Sequence, residues 1–391
     1  MKQQKLDRTL GIFAIATMLI AWIIGANLRD GDIYPFLQDA FPEAGRFEPI
    51  SGDQFVAIQT QPEKTIIGYV AMATANGYGG PMKLAVAVDL KGKVHGISIV
   101  SQKETPSWLK KVSGSRFISS LFGKSYLDPF ELGEDVDGVS GATYASRAIA
   151  EAALQGSRKI AKDQLGLELP AERDLKIQFG IPEITLIALF AIGYFGLLRR
   201  FKYTKQARWA ATVIGLVVLG FVYDLPLTLS SINKFLLGFW PEWQTHLYWY
   251  LLIGGILFIF TVDNKNPYCQ WFCPFGAAQE CLGVIGVAKV RSAGKYRNFL
   301  KWLQRGLAWF AILVALLFHS PGISSYEIFG TLFSLTGSTL QFALLGIILI
   351  ASLFIKRPWC HYLCPIHPVD EFIRMARGWI IELWKTLQNK R

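Results

Sequence analysis

The sequence predicts a membrane protein with six transmembrane α-helices and an extracytoplasmic α+β domain inserted after the first helix. Three observations lead there. Apolar residues make up 52% of the 391-residue chain, at a mean hydropathy of +0.31. That is too apolar for a water-soluble chain unless the apolar residues are gathered into spans. They are gathered: runs at 9–27, 180–198, 209–229, 246–262, 303–319 and 338–355 approach the length that crosses ~30 Å of hydrocarbon as a helix. The second and third runs are the weakest, because Glu183 and Asp224 sit near their outer ends. The third observation is where the charge lies. The formal net charge is +11, which would suit nucleic acid, but its distribution follows topology. With the N-terminus inside, the cytoplasmic segments carry 22 Lys and Arg, whereas the two short outer loops carry only Lys234. This asymmetry is the positive-inside rule, and it removes the case for nucleic acid.

The first span follows a basic start, MKQQKLDR. Its uncharged stretch Leu10–Asn27 is longer than the apolar core of a signal peptide, and no A-x-A cleavage site follows. Residues 1–28 therefore read as an uncleaved anchor. Residues 29–175 have ordinary soluble composition and face outward by the topology above. QFVAIQT, TIIGYVAMAT, MKLAVAVDL and VHGISIVSQ alternate or cluster β-formers, with LKGK as a hairpin turn between the last two. WLKKVSGSRFISSLF and TYASRAIAEAALQGSRKIAK read as helices on that antiparallel sheet, and ELPAERD as the linker back to the membrane.

Residues 176–366 form the five-helix membrane domain, which holds an internal repeat. PYCQWFCP (267–274) and PWCHYLCP (358–365) share one frame, each after a span at its cytoplasmic end. The repeating unit is two helices plus a cysteine motif. Residues 367–391 have apolar residues at helical spacing between Arg and Lys, as expected of an amphipathic tail on the inner membrane surface.

The cysteines carry the first chemistry. All five are placed in the cytoplasm, where thiols stay reduced, so structural disulfides are not expected. Cys269 and Cys273, and likewise Cys360 and Cys364, are four apart. On a helix that puts both sulfurs on one face, with Cβ atoms ~6 Å apart. Two such pairs make a four-thiolate site, which suits iron–sulfur or zinc. The C-x3-C-P spacing also ends the bacterial ferredoxin run, and its use twice leans toward iron–sulfur. Against this stands the reading that buried cysteines act as small hydrophobes. Cys281 has no mate in the repeat. His361 and His367 flank the second pair, where an ordinary polar role outweighs ligation. His246 and His319 lie at outer ends of spans, where interfacial roles outweigh haem ligation. A quinone contact is also compatible with them.

The second chemistry is in DGVSGATYAS (137–146). With a helix over Ala142–Lys162, Ser140 falls at the N-cap region, Gly141 relieves crowding, and the free N–H groups favour an anion. A capped helix with nothing bound fits a generic SGAT equally well. Here the whole string Asp137-Gly138-x-Ser140-Gly141-Ala142-Thr143 resembles the flavinylation motif of FMN-binding domains. The resemblance implies that a dedicated flavin transferase attaches FMN through its phosphate to Thr143. GYGGP (77–81), with Tyr78, Gly79 and Gly80, and KETPSW (103–108), with Glu104 and Thr105, resemble the loops that approach the flavin in that family. Ser107 stands where the family usually has glycine. Anchor, outward flavin domain, five further spans and two C-x3-C-P motifs together resemble the NosR-like polytopic flavo-iron–sulfur proteins of bacterial inner membranes. The match is nearer to the shorter members encoded in organohalide-respiration operons, because NosR-type ferredoxin clusters do not follow Cys364. The resemblance implies electron transfer by covalent FMN and an iron–sulfur centre, between a quinol or cytoplasmic donor and an extracytoplasmic redox protein. A redox sensor or maturation factor for a respiratory reductase is the alternative. A structural zinc protein with an empty flavin fold is the third reading. An oligomer is compatible with all three.

Overall fold

The computed structural model describes all residues except 1, 28–30, 61–63, 78, 104–111, 140–142, 172–176, 178, 199–201, 291–293, 324–325 and 389–391. Side chains are further undescribed at 2–6, 143, 144, 383 and 387.

Helix α1 (Lys2–Asn27) leads to a sheet domain. After the short α2 (Tyr34–Ala40) come five strands: β1 (Arg46–Ser51), β2 (Gln54–Gln59), β3 (Thr65–Asn76), β4 (Pro81–Asp89) and β5 (Val94–Ser101). They form one antiparallel meander in sequence order. Four of the strands are those the alternation predicts. β1 escapes it because RFEPIS holds Pro49 and three charged or hydroxyl residues. A proline that cannot donate to a ladder is tolerated at an edge, and β1 is the edge strand. The LKGK turn is found where expected. Asp89 Oδ1 accepts from the Lys91 and Lys93 amides, and Gly92 takes φ +77°.

The period-2 rule sends alternate residues of the central strands to opposite faces. Ala71, Ala73, Leu84 and Val86 pack against the long helix that follows, whereas Val70, Met72, Ala85 and Ala87 pack with Leu37 and Phe41 of α2 and its loop. Of the helix expected over 108–122, residues 108–111 lie outside the described residues, and beyond them helix is found at 112–113 and again as α3 (Phe117–Ser120). Glycine and serine in VSGS divide the segment. The second predicted helix is present as α4 (Thr143–Asp163). Its alanines allow close approach to the sheet. At Gly156 an added Cβ would stand 2.8 Å from Val86 Cβ. Gly156→Leu is therefore expected to overpack this interface and destabilise the domain by about 1–3 kcal/mol. A lowered first transition in thermal unfolding of the full chain would register it; an unchanged transition would contradict the packing.

The remaining chain is helical: α5 (Ile181–Leu198), α6 (Thr204–Ile214) running into a π-helical stretch (Gly215–Val222), α7 (Leu229–Leu237) and α8 (Leu247–Asp263). Then follow α9 (Pro274–Ile285), α10 (Arg297–Leu317), α11 (Phe329–Phe333), α12 (Thr339–Phe354), α13 (Pro358–Tyr362) and α14 (Ile366–Gln388). All six apolar runs are helical. Among the described residues four helical segments are long and apolar enough to cross a bilayer alone: Asp7–Asn27, Ile181–Leu198, Thr204–Val222 and Gly294–Leu317. Leu247–Asp263 makes a fifth only together with Tyr268–Ile285, at a 117° bend, and Thr339–Phe354 is shorter still. The two runs weakened by Glu183 and Asp224 thus satisfy the length criterion, while the fourth and sixth do not. Glu183 is accommodated by accepting from the Gly180 amide, and Asp224 by the Ser334 hydroxyl. Large apolar side chains such as Phe195, Phe258 and Ile347 point outward from the bundle, as contact with lipid requires.

The tail is one helix, α14. Its first half packs against α8 and α10, so a division at 366/367 falls in its first turn.

Candidate functional sites

The flavin-motif helix is described from Thr143, and its expected first residue, Ala142, lies outside the described residues. Ser140, Gly141, Ala142, Tyr78, Glu104 and Thr105 lie outside the described residues, as does the side chain of Thr143. The described neighbours are well tied. The Val139 amide donates to Ser146 Oγ at 3.2 Å, fixing 137–139 beside the helix. An added Cβ at Gly138 would meet Leu132 at 3.3 Å, and Asp137 precedes it in the same extended run. The loop 77–80 closes by a bond from the Gly77 amide to the Gly80 carbonyl, 2.9 Å, with Gly79 in the bend.

This end of the domain meets the membrane helices. A Cβ at Gly80 would stand 3.2 Å from Phe239, in the loop before α8, and 3.3 Å from Lys103. Burial pushes the Glu151 carboxyl up, and the charge of Glu242 from that same loop adds to it. Arg147 is close enough to His246 for their charges to interact. Position 143 is one turn before Arg147, so the α4 N-terminus faces the domain–membrane junction. A cleft of about 480 Å³ opens there, lined by Thr74, Lys83, Lys103, Phe318 and His319 among others. His319 Nδ1 is buried with no hydrogen-bond partner among the described residues. Cationic and orphaned polar groups in such a cleft fit a phosphate-bearing ligand.

The cysteine site lies at the other end of α8, whose 17 residues span ~25 Å. The first pair does not sit on an α-helical turn as the spacing suggested, and the second does so only in part, with Cys360 in α13 and Cys364 two residues beyond its end. Tyr268–Phe272 is a π-type turn, and the Cys273 amide reaches back five residues to the Tyr268 carbonyl at 2.8 Å. In the second motif the Cys364 amide reaches the Trp359 carbonyl, also at 2.8 Å. The wider turn is a common device at functional positions of helices. Proline then opens the next helix in the first motif, as α9, where its missing N–H costs nothing.

The two motifs hold each other crosswise. After the first, Gln279 on α9 reaches the second: its Nε2 donates to Cys360 Sγ at 3.4 Å and its Oε1 accepts from the Trp359 amide at 2.9 Å. After the second, Asp370 on α14 reaches the first through Asn266. Asn266 Nδ2 donates to Asp370 at 2.9 Å and to Cys269 Sγ at 3.4 Å, and its Oδ1 accepts from the Cys269 amide at 3.3 Å. Arg357, which matches Asn266 in the repeat, donates from Nη1 to the Cys269 carbonyl at 3.0 Å. Gln304 of α10 donates to the carbonyls of Cys360 and Cys364. The repeat also extends past the proline: CPFGAAQE (273–280) and CPIHPVDE (364–371) end in equivalent glutamates. Glu280 pairs with Arg208 at the start of the α6 span, and Glu371 with Arg305 on α10. Each repeat thus ties its cysteine motif to its own first helix. The frame read from the sequence ends at Pro274 and Pro365 and misses all of these residues. The shared glutamate was the available signal.

Glu280 also pairs with Arg357 and is almost wholly buried, at 4% side-chain exposure. Removing it leaves the Arg357 guanidinium buried without its counter-charge. Glu280→Ala is expected to cost about 3–5 kcal/mol. Thermal unfolding of the purified chain measures this; a loss below that of an ordinary surface substitution would refute the pairing.

The four thiols fit a metal-bound role better than a free one. Burial first, then Cys273, pushes the Cys360 thiol up to about 12, and burial also raises Cys364. Four such sulfurs become thiolates together only when a cation offsets their charge. The N–H donors on Cys269 and Cys360 favour the anionic form as well. Among the described residues no three His, Cys, Asp or Glu side chains stand so as to hold one metal ion. His361 and His367 are exposed, with His361 Nδ1 beside the Arg357 carbonyl. His246 Nδ1 contacts Thr245 and the His319 ring meets Phe239 edge-on.

The FMN-binding domain family matches residues 77–156, and the 4Fe-4S binding domain family matches residues 245–292 and 339–383. The chain is therefore a membrane protein that combines an FMN-binding domain with an iron–sulfur domain. Protein NirI of Paracoccus denitrificans is 29% identical over 46% of this chain and 28% of its own length. The putative electron transport protein YccM of Escherichia coli is 32% identical over 26% of this chain and 32% of its own length. A component of the proton-translocating ferredoxin:NAD(+) oxidoreductase complex of Clostridium ljungdahlii is 30% identical over 30% of this chain and 66% of its own length. The chain thus spans about a third or less of the first two relatives.

Proposed function

We propose that this chain is a membrane-bound electron-transfer protein of a bacterial inner membrane. In this reading its flavin domain lies outside, its two cysteine motifs and both termini lie inside, and all six apolar runs cross. FMN is esterified to Thr143 by a flavin transferase and rests in the cleft of Lys83, Lys103 and His319. Cys269, Cys273, Cys360 and Cys364 hold an iron–sulfur centre. The observation that carries the reading is the crosswise bonding of two repeated motifs around four half-buried cysteines. A single metal ion needs its ligands drawn together on one point, whereas in a cluster the thiolates are shared out among several irons.

FMN would supply one- or two-electron exchange and the cluster one-electron exchange. The chain's own residues position them. Asn266 and Gln279 donate to sulfur, Arg357 offsets negative charge, and the α4 N-terminus with the two lysines receives the phosphate. The ~25 Å of α8 between the sites is long for one efficient hop. A partner or a further carrier in the membrane is therefore part of the proposal. Its electrons come from a quinol or a cytoplasmic donor and leave to an extracytoplasmic redox protein.

Purification after coexpression with a flavin transferase, followed by absorption and EPR spectra under stepwise reduction, tests this. Covalent flavin plus a cluster signal, both turning over with a quinol analogue, is expected. Cofactors that reduce but stay idle, with a partner enzyme left immature on deletion, would favour the sensor or maturation role. A colourless zinc protein would end both.

A further inference from the structure

A large cavity lies apart from the flavin-domain cleft and adjoins the cysteine site at one end. It has a volume of about 590 Å³, within the range of small-molecule sites. Its walls are α1, α8, α10 and the start of α14, with residues such as Met18, Ile256, Phe260, Trp309 and Ile312 giving an apolar surface. It extends along these helices from Leu227 and Leu236, on the flavin-domain side, toward the cysteine side. Only the cysteine end is polar. There it is lined by Asp7, Asn266, Arg305, Asp370 and Glu371.

We propose that this crevice binds an isoprenoid quinone, its tail along the apolar walls and its head at Asn266 and Asp370. Shape alone would also admit a phospholipid chain, so the head decides. The polar end has three carboxylates and one guanidinium in its lining: Arg305 is paired with Asp7 and Glu371 at 3.4 and 2.9 Å, and from just outside Lys301 pairs with Glu371 at 3.1 Å and Arg374 with Asp370 at 3.0 Å. These cations are already engaged by carboxylates, so a lipid phosphate would have to displace one, which disfavours it. A neutral hydroquinone offers two O–H donors, and carboxylates are acceptors. Asn266 joins this end directly to Cys269, through the 3.4 Å contact from Nδ2 to sulfur. A head seated on Asp370 is then one residue from the first motif. The α14 tail, expected only to rest on the membrane, becomes one wall of a binding site.

The test uses the full chain in detergent with a decyl-tailed azidoquinone as photolabel. Adducts are expected within 302–312 and 366–375, displaced by excess decylubiquinone but not by phosphatidylglycerol. Gly306 lines the crevice, and an added Cβ there meets nothing within 4 Å. Gly306→Trp should therefore obstruct the crevice without a core clash and cut labelling about tenfold, while Gly306→Ala stays near wild type. Asp370→Asn should weaken displacement by the hydroquinone more than by the quinone. Adducts elsewhere, equal displacement by phosphatidylglycerol, or full labelling of a folded Gly306→Trp chain would overturn the proposal. The choice of quinone rests on the electron-transfer reading, but labelling needs neither cofactor. A chain that binds flavin and iron yet fails to label would refute this inference alone.

Discussion

Replacing Cys364 with serine is expected to remove the iron and acid-labile sulfide of the purified protein almost completely, by about tenfold or more. Cys364 is one of the four half-buried motif cysteines, and desolvation raises its thiol strongly. Serine keeps the volume but loses the soft, easily ionised ligand. Cys269→Ala should give the same result, because both repeats contribute to one site. Cys281→Ser should not, since that residue lies outside the motifs. Iron and sulfide analysis, with EPR of the reduced protein, provides the readout. Full iron content in either motif variant would refute a shared site. Stoichiometric zinc without sulfide in the wild type would refute the iron–sulfur assignment itself.

The second large effect concerns the flavin. Thr143→Val should abolish the fluorescence that survives denaturation, because valine keeps the β-branched shape and removes the hydroxyl that an ester requires. Thr143→Ser, which retains a hydroxyl, should keep part of it. The measurement is in-gel fluorescence after coexpression with the transferase. Covalent flavin in the valine variant would place the attachment elsewhere. Loss of fold is a separate matter, and an unchanged thermal transition in Thr143→Val distinguishes the two.

Much of the architecture was legible because it rests on local periodicity. Strand alternation in β2–β5, the turn at Gly92 and the helix after DGVSGAT need only near neighbours, and the structure has them. What failed was also local in origin. β1 carries a proline and charges, so its pairing is decided by β2 rather than by its own pattern. The cysteine motifs read as helix because their spacing is helical, but the bonds to Tyr268 and Trp359 carbonyls widen both turns. α8 reaches span length only together with Tyr268–Ile285 across a 117° bend, and α12 ends short of it, which the apolar runs alone do not reveal.

The sequence by itself determined the components: apolar runs, a sheet domain and a cysteine frame used twice, with a DGVSGAT string that resembles a flavinylation motif. The runs, strands and frame are properties of composition, period and spacing, each contained within a short stretch of chain. Only the tertiary structure decided how the repeats meet. Gln279 serves Cys360 from 81 residues away and Asp370 serves Asn266 from 104 residues away. It also brought α4 against the loop before α8 and closed a crevice with the tail helix. Contacts at such separations are set by how helices pack in three dimensions, and no local pattern encodes them.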